Sequence, residues 1–393
     1  MPRYLISDRL RITRLFTEFY ESEKAGGIVL LFCTVASLIF ANSSLSDGYA
    51  GFWHHKIGPL SAEHWINDGL MAIFFLLIGL ELEREIYVGE LSVIKNALLP
   101  VAAAAGGIIV PAGIYTLFNL GTPTQPGAGI PMATDIAFAL GVLSLLGRRV
   151  PTSLKVFLAA LAVADDLGAI MVITLFYSDS IIWGNLIISL SVFAVLGLLN
   201  NLKVRNLIPY VIGGMVMWYF MYLSGVHATI TGVLLAFVVP FGDGSNRSPS
   251  YILQHFLHKP VAFVVLPLFA LANTAITVSG GFHSSFTEPY AIGILAGLIL
   301  GKPMGIMLFT LLAARTRCCT MPSDLKWQHI SGAGFLAGIG FTMSIFITLL
   351  AFDDPVIINN AKLMILIGSL TAGVIGFIIL KSVLKTEIEA GAD

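Results

Sequence analysis

The chain has 393 residues, with 22 Lys+Arg against 23 Asp+Glu, so charged residues make up 11 % where soluble domains carry about 25 %. Hydrophobic residues reach 56 %, and the mean hydropathy of +0.88 exceeds what a soluble fold can hide. This excludes a cytosolic enzyme, a nucleic-acid binder and a disordered protein, and points to a polytopic membrane protein.

Between Arg9 and Lys24, Leu10, Ile12, Leu15, Phe16 and Phe19 alternate with four cations and three anions. The pattern predicts a cytoplasmic amphipathic segment over 1–25, lying on membrane lipid, with a solvated tail as the alternative reading. Twelve apolar runs long enough to span follow: 26–42, 66–82, 97–120, 130–147, 154–178, 181–200, 207–222, 225–241, 260–279, 290–314, 331–352 and 357–380. They predict one all-α membrane domain over 26–380, with a cytoplasmic tail at 381–393. Cys33, Cys318 and Cys319 are odd in number, and two are adjacent, so no disulfide framework or metal site is expected. No cofactor is expected either.

Alternate connections divide the basic residues unequally. The termini and the connections after spans 2, 4, 6, 8 and 10 hold 19 of the 22, which predicts both termini cytoplasmic. By that orientation, spans 3–5 (about 97–178) and 10–12 (about 290–380) run in opposite senses, as inverted-topology repeats.

Four charges break the apolar pattern: Asp135, Asp165, Asp166 and Lys302, from three distant spans. At roughly 2.5–3.5 kcal/mol per charge at mid-bilayer, packing alone gives no reason to keep them. Asp165 and Asp166 are neighbours, so on a helix they diverge by about 100°. One can face a hydrated cavity while the other reaches a partner such as Lys302. Ionised, such a pair binds a hard cation through oxygen, and protonation releases it. Cation and protons then compete for the same oxygens, which is the minimum machinery of an antiporter.

Backbone signals agree. Span 130–147 opens with Ile130-Pro131-Met132-Ala133-Thr134-Asp135, and span 331–352 carries Gly332, Gly334, Gly338 and Gly340. Both read as interrupted helices, which membranes tolerate only beside protein or water. Asp135 and Lys302 can offset the partial charges of the opposed half-helix ends. Close helix packing is the alternative reading of the glycines.

Ala133-Thr134-Asp135-Ile136-Ala137-Phe138-Ala139-Leu140, Ala164-Asp165-Asp166-Leu167-Gly168, Gly301-Lys302-Pro303 and Gly338-Ile339-Gly340-Phe341-Thr342-Met343-Ser344 resemble the NhaA-type sodium/proton antiporters. So do Trp65-Ile66-Asn67-Asp68, Gly79-Leu80-Glu81, Ser224-Gly225-Val226-His227 and Leu266-Pro267-Leu268-Phe269. The resemblance implies a bacterial inner-membrane protein of about twelve helices, two of them interrupted and crossing near the midplane. It implies export of Na⁺ (and Li⁺) for protons, electrogenic at two H⁺ per Na⁺, activated by rising pH and serving sodium and pH homeostasis. It assigns Asp166 and Asp165 to the transported cation, with Lys302 and Thr134 beside them, and Thr134 and Asp135 to the crossing. Glu81 and Glu85 match a region of pH response. A homodimer through 43–65 is usual in the family. Glu83 stands where a basic residue is common, and Gln254 where an acidic one is found. A sodium-coupled symporter, an intramembrane aspartyl protease and a channel are the competing readings. His255 and His258 are expected on a solvated cytoplasmic loop, and Asp68 and His227 at the outer ends of spans 2 and 8.

Overall fold

The computed structural model describes residues 14–177, 181–277, 286–316, 319, 321–322 and 324–390. It is a helical bundle. Among the described residues, eight helices are long and apolar enough to cross a membrane, or up to ten when two bent pairs each count as one span. Each of the twelve predicted runs has a helical counterpart among the described residues.

Helix α1 (Arg14–Ala41) is continuous from the predicted amphipathic segment into the first span. Residues 1–13 of that segment, and the side chains of 14–24, lie outside the described residues. Helix α2 (Ser46–His54) turns away from α1 by 116°. A two-residue hairpin follows, β1 (Lys56–Ile57) antiparallel to β2 (Leu60–Ser61). Gly58 sits at φ +67°, the backbone that the first position of so tight a turn demands. The sequence pattern had not foreseen this hairpin.

Helices α3 (Ala62–Tyr87) and α4 (Ala97–Asn119 by its apolar part) come next. The fourth span is broken. A 3₁₀ segment, Gln125–Met132, ends in extended backbone at Ala133 and Asp135, and α5 (Ile136–Ser144) then begins. It therefore starts at Gln125 rather than 130, because Gly127 and Gly129 dilute the apolar signal there. Both glycines are buried, and a side chain at Gly129 would run into the Tyr177 hydroxyl.

Helices α6 (Thr152–Phe176), α7 (Trp183–Asn201), α8 (Ile208–Leu223) and the nine-residue α9 (Ile230–Val238) follow. Helix α7 shows why a bilayer is needed. Ile187, Val195 and Leu198 are each 57–59 % exposed along it, a cost in water that lipid removes.

Helix α10 (Pro249–Asn273) corrects the expected loop at 242–259. The Ser248 hydroxyl accepts the Tyr251 amide at 3.3 Å and Pro249 opens the helix, so the chain is already helical at His255 and His258. Helix α11 (Pro289–Arg315) carries Lys302. Both α10 and α11 contain a widened π turn, Val261–Val265 and Gly297–Gly301. Each precedes a proline, Pro267 or Pro303, that has no N–H for the carbonyl four residues back.

The eleventh span is again broken, into α12 (Trp327–Ala337) and α13 (Phe341–Ala351), bent by 46°. Its glycines satisfy both readings. Gly338 and Gly340 form the break, and side chains at Gly332 and Gly338 would collide with Leu380 and the Leu298 carbonyl, while one at Gly334 would press on Pro303. Helix α14 (Pro355–Ala390) closes the bundle and runs ten residues beyond the predicted edge at 380. Residues 391–393 lie outside the described residues.

Backbone packs directly on backbone where α4 meets α11. A methyl on Gly106 would land on the Gly305 carbonyl oxygen, and one on Gly305 would land on that of Gly106. Next to them, Gly107 leaves room for the Lys302 stem, 3.6 Å from where its own Cβ would be. Gly106→Val is therefore expected to destabilise the protein by about 3 kcal/mol or more, because backbone on both sides must move. A thermal unfolding series of the purified protein with Gly106→Ala as the milder step checks this. Unchanged melting for both would refute the contact.

Candidate functional site

The two broken spans meet at their breaks, and five hydrogen bonds join them. The Thr134 hydroxyl donates to the Ala337 carbonyl at 2.8 Å, the last of α12. In return, the Ser344 hydroxyl of α13 donates to the Ile130 carbonyl at 2.6 Å. The Asp135 amide donates to the Ile339 carbonyl at 2.6 Å, and the Thr342 amide donates to Asp135 Oδ2 at 3.1 Å. Each break thus satisfies polar backbone groups that the other leaves open.

Asp135 serves two helix starts. Its Oδ1 accepts the Phe138 amide at 3.0 Å, capping α5, while Oδ2 takes the Thr342 amide and hydroxyl at the start of α13. A carboxylate at two helix N-termini offsets two partial positive ends. Lys302 stands at the opposite kind of end. Its Nζ donates to the Met132 carbonyl, where the 3₁₀ half of the fourth span stops. The same Nζ forms an ion pair with Asp165 Oδ2, both side chains being at most 1 % exposed.

Asp165 and Asp166 diverge as adjacent helical residues must. Asp165 faces Lys302, whereas Asp166 lines a narrow cavity of about 20 Å³ with Thr134, Asp135 and Thr342. That is room for about one water or one small ion. Asp166 is 2 % exposed, and its Oδ1 has no hydrogen-bond partner among the described residues. A buried carboxylate oxygen without a partner is costly unless a proton or a cation supplies one. The Thr134 hydroxyl has committed its proton to Ala337, so its oxygen is left to act as an acceptor or ligand.

The cavity extends past Phe74, Leu77 and Ile78 to Glu81. Glu81 Oε1 lies 3.6 Å from His258 Nδ1, with both side chains nearly buried. His258 is therefore a helical residue at the cavity end, not a solvated loop histidine. Glu85, one turn further along α3, does not line the cavity. Glu83 faces elsewhere. It is 4 % exposed, and its Oε2 has no hydrogen-bond partner among the described residues. Gln254 is also buried. On the far side of Asp166, Phe346 touches Phe75 and Phe269 with ring centroids 5.4 and 6.4 Å apart. His227 Nε2 lies 2.6 Å from the Tyr177 carbonyl on that side, and the Asp68 carbonyl accepts the Trp218 indole at 2.9 Å.

The structure thus brings together Asp165, Asp166, Lys302, Thr134 and Asp135, and places Glu81, but not Glu85, at the end of their cavity. Sequence reasoning missed the Met132 carbonyl, which no side-chain pattern reveals. It also missed His258, although the Ser248-Pro249 helix start would have placed it.

A family profile described as Na+/H+ antiporter 1 matches residues 17–380. The Na(+)/H(+) antiporter NhaA of Flavobacterium psychrophilum is 63 % identical over 379 residues, covering 96 % of this chain and 99 % of that protein. The proteins of the same name from Cytophaga hutchinsonii and Dechloromonas aromatica are 57 % and 56 % identical, covering 96 % and 94 % of this chain and 97 % and 96 % of their own lengths. Among solved structures, the sodium proton antiporter MjNhaP1 of Methanocaldococcus jannaschii shares the fold. The TM-score is 0.50 at 14 % identity, over 95 % of this chain and 100 % of that one. With these matches over nearly its whole length, the chain belongs to the Na+/H+ antiporter 1 family.

Proposed function

We propose that this multi-pass membrane protein exports Na⁺, and Li⁺, from the cytoplasm in exchange for entering protons. The observation that carries the reading is Asp166. Its unpartnered oxygen sits in a cavity that fits a single ion, beside an Asp165 already neutralised by Lys302. A dehydrated Na⁺ and a proton are alternative occupants of that oxygen. Thr134 and Asp165 lie within reach as further oxygen ligands once Lys302 releases Asp165. If Asp165, freed from Lys302, takes up a proton together with Asp166 as the cation leaves, two protons are exchanged per Na⁺. Each cycle then carries one net charge inward, worth about 2.3 kcal/mol per 100 mV of membrane potential. That gain lets the exchanger work when protons outside are scarce.

The same reading makes activity rise with pH, because fewer protons contest the carboxylates. Glu81 and His258 at the cavity mouth, with Glu85 one turn on, are our candidates for setting where that rise occurs. The distribution of basic residues supports an inner-membrane orientation with both termini in the cytoplasm. The hairpin supports a homodimer through 43–65. Ile57 is 57 % exposed on an edge strand, while the Trp65 indole donates to its carbonyl at 2.9 Å and fixes the hairpin to the bundle.

Proteoliposomes with an imposed pH gradient test this. Adding Na⁺ is expected to collapse the gradient at pH 8.5 much faster than at pH 6.5. A potential clamped with K⁺ and valinomycin is expected to change the rate in the direction of one net charge per cycle. No response to Na⁺ at either pH from folded protein would overturn the reading and leave symport or channel activity in its place.

A further inference from the structure

Ser369 lies midway along α14, a helix that sends no side chain into the cation cavity among the described residues. It is 6 % exposed. Its hydroxyl oxygen accepts two amide protons, from Gly340 and from Phe341, each at 3.2 Å. These are the first two amides of α13, with Gly340 at the N-cap position. The opening amides of a helix have no acceptor inside it. Here the next one, of Thr342, goes to Asp135. Three successive amides are thus divided between a neutral hydroxyl on the backing helix and a carboxylate on the crossing span.

The packing explains why the hydroxyl reaches. Side chains at Gly338 and Gly373 would meet Ala372 at 3.0 Å and Ile339 at 3.2 Å, so α14 presses on the break on the C-terminal side of Ser369. The consequence is electrostatic. A helix N-terminus carries roughly half a positive charge, and Thr342 and Met343 of this one line the cation cavity. Where α13 starts therefore decides how much positive potential a cation meets beside Asp166.

We propose that Ser369 is a positioning residue for cation exchange. It holds the first two amides of α13 against α14, so that only Thr342 reaches Asp135 and the positive end of the half-helix stays back from the cation. Without the hydroxyl, two buried amides lose their acceptor. Asp135, which already accepts the next amide, is an acceptor open to them, and turning toward it carries the start of α13 into the cavity.

The inference rests on the antiport reading, and kinetics of Ser369→Ala, Ser369→Cys and Ser369→Thr in proteoliposomes at pH 8.5 separate the two. Ser369→Ala is expected to raise the KM for Na⁺ about fivefold, the equivalent of one ordinary hydrogen bond, with the maximal rate within about twofold of the parent. Ser369→Cys, a weaker acceptor of similar shape, is expected to fall between, and Ser369→Thr to return toward the parent KM. An unchanged KM in folded Ser369→Ala overturns the proposal. So does a fall in maximal rate and melting temperature at constant KM, which is what a purely structural serine would give. If Ser369→Ala does not fold, the Ser369→Cys KM decides, and a parental value again overturns it. Absence of Na⁺-dependent exchange in the parent protein would instead be the failure of the antiport reading.

Discussion

Asp166→Asn is expected to abolish Na⁺-driven collapse of a pH gradient, by at least about 100-fold, while leaving insertion and melting temperature close to those of the parent. The substitution keeps the shape of the side chain and removes the charge. Neither exchanged ion can then be held, since an amide oxygen neither balances a cation nor takes up a proton near neutral pH. Folding is spared for the same reason that the residue is functional. Asp166 makes no ion pair among the described residues, and its Oδ1 supports nothing in the bundle, so a neutral side chain removes a burden from the fold. Transport and melting measured on the same preparation check both halves. Full exchange by the variant would remove Asp166 from the site. Collapse of the fold would mean that the carboxylate has a structural partner.

Lys302→Met is expected to act the other way, on stability first. The ammonium group joins Asp165 to the Met132 carbonyl where three spans meet. Removing one member of a buried pair leaves the other uncompensated, at a cost of about 3–5 kcal/mol. A fall in melting temperature of more than about 5 °C is expected. The double variant Lys302→Met/Asp165→Asn should regain much of it, because no bare charge then remains. The pattern across single and double variants is the test. Equal losses in both would show that Lys302 matters for its contacts, not for its charge.

The two aspartates were the most legible feature of the site. Two neighbouring carboxylates in an apolar run must diverge, and a distant buried lysine had to meet one of them. The breaks were legible as well, since Pro131 and the glycines of span 331–352 do not suit continuous helices. What joins the breaks was not. The bonds from Thr134 to Ala337 and from Ser344 to Ile130 pair a hydroxyl with a backbone carbonyl two hundred residues away. Nothing in the local pattern marks either carbonyl as open. Ser369 was invisible for the same reason, as one hydroxyl on an apolar helix whose importance depends on which amides it faces. The loop at 242–259 failed differently. Ser248-Pro249 is a helix start that local reading can find, but hydropathy outweighed it because Gln254, His255, His258 and Lys259 make the first turns of α10 polar.

We propose that cation and protons compete for Asp165 and Asp166. This competition is tested most directly by adding Na⁺ to purified protein in weakly buffered detergent near pH 7 and measuring the protons released. Release is expected to saturate with Na⁺, to reach at most two protons per cation bound, and to be absent in Asp166→Asn. The apparent Na⁺ affinity should also tighten as pH rises, by up to about tenfold per pH unit for each proton displaced. Na⁺ binding without proton release, or release that survives in Asp166→Asn, would contradict it.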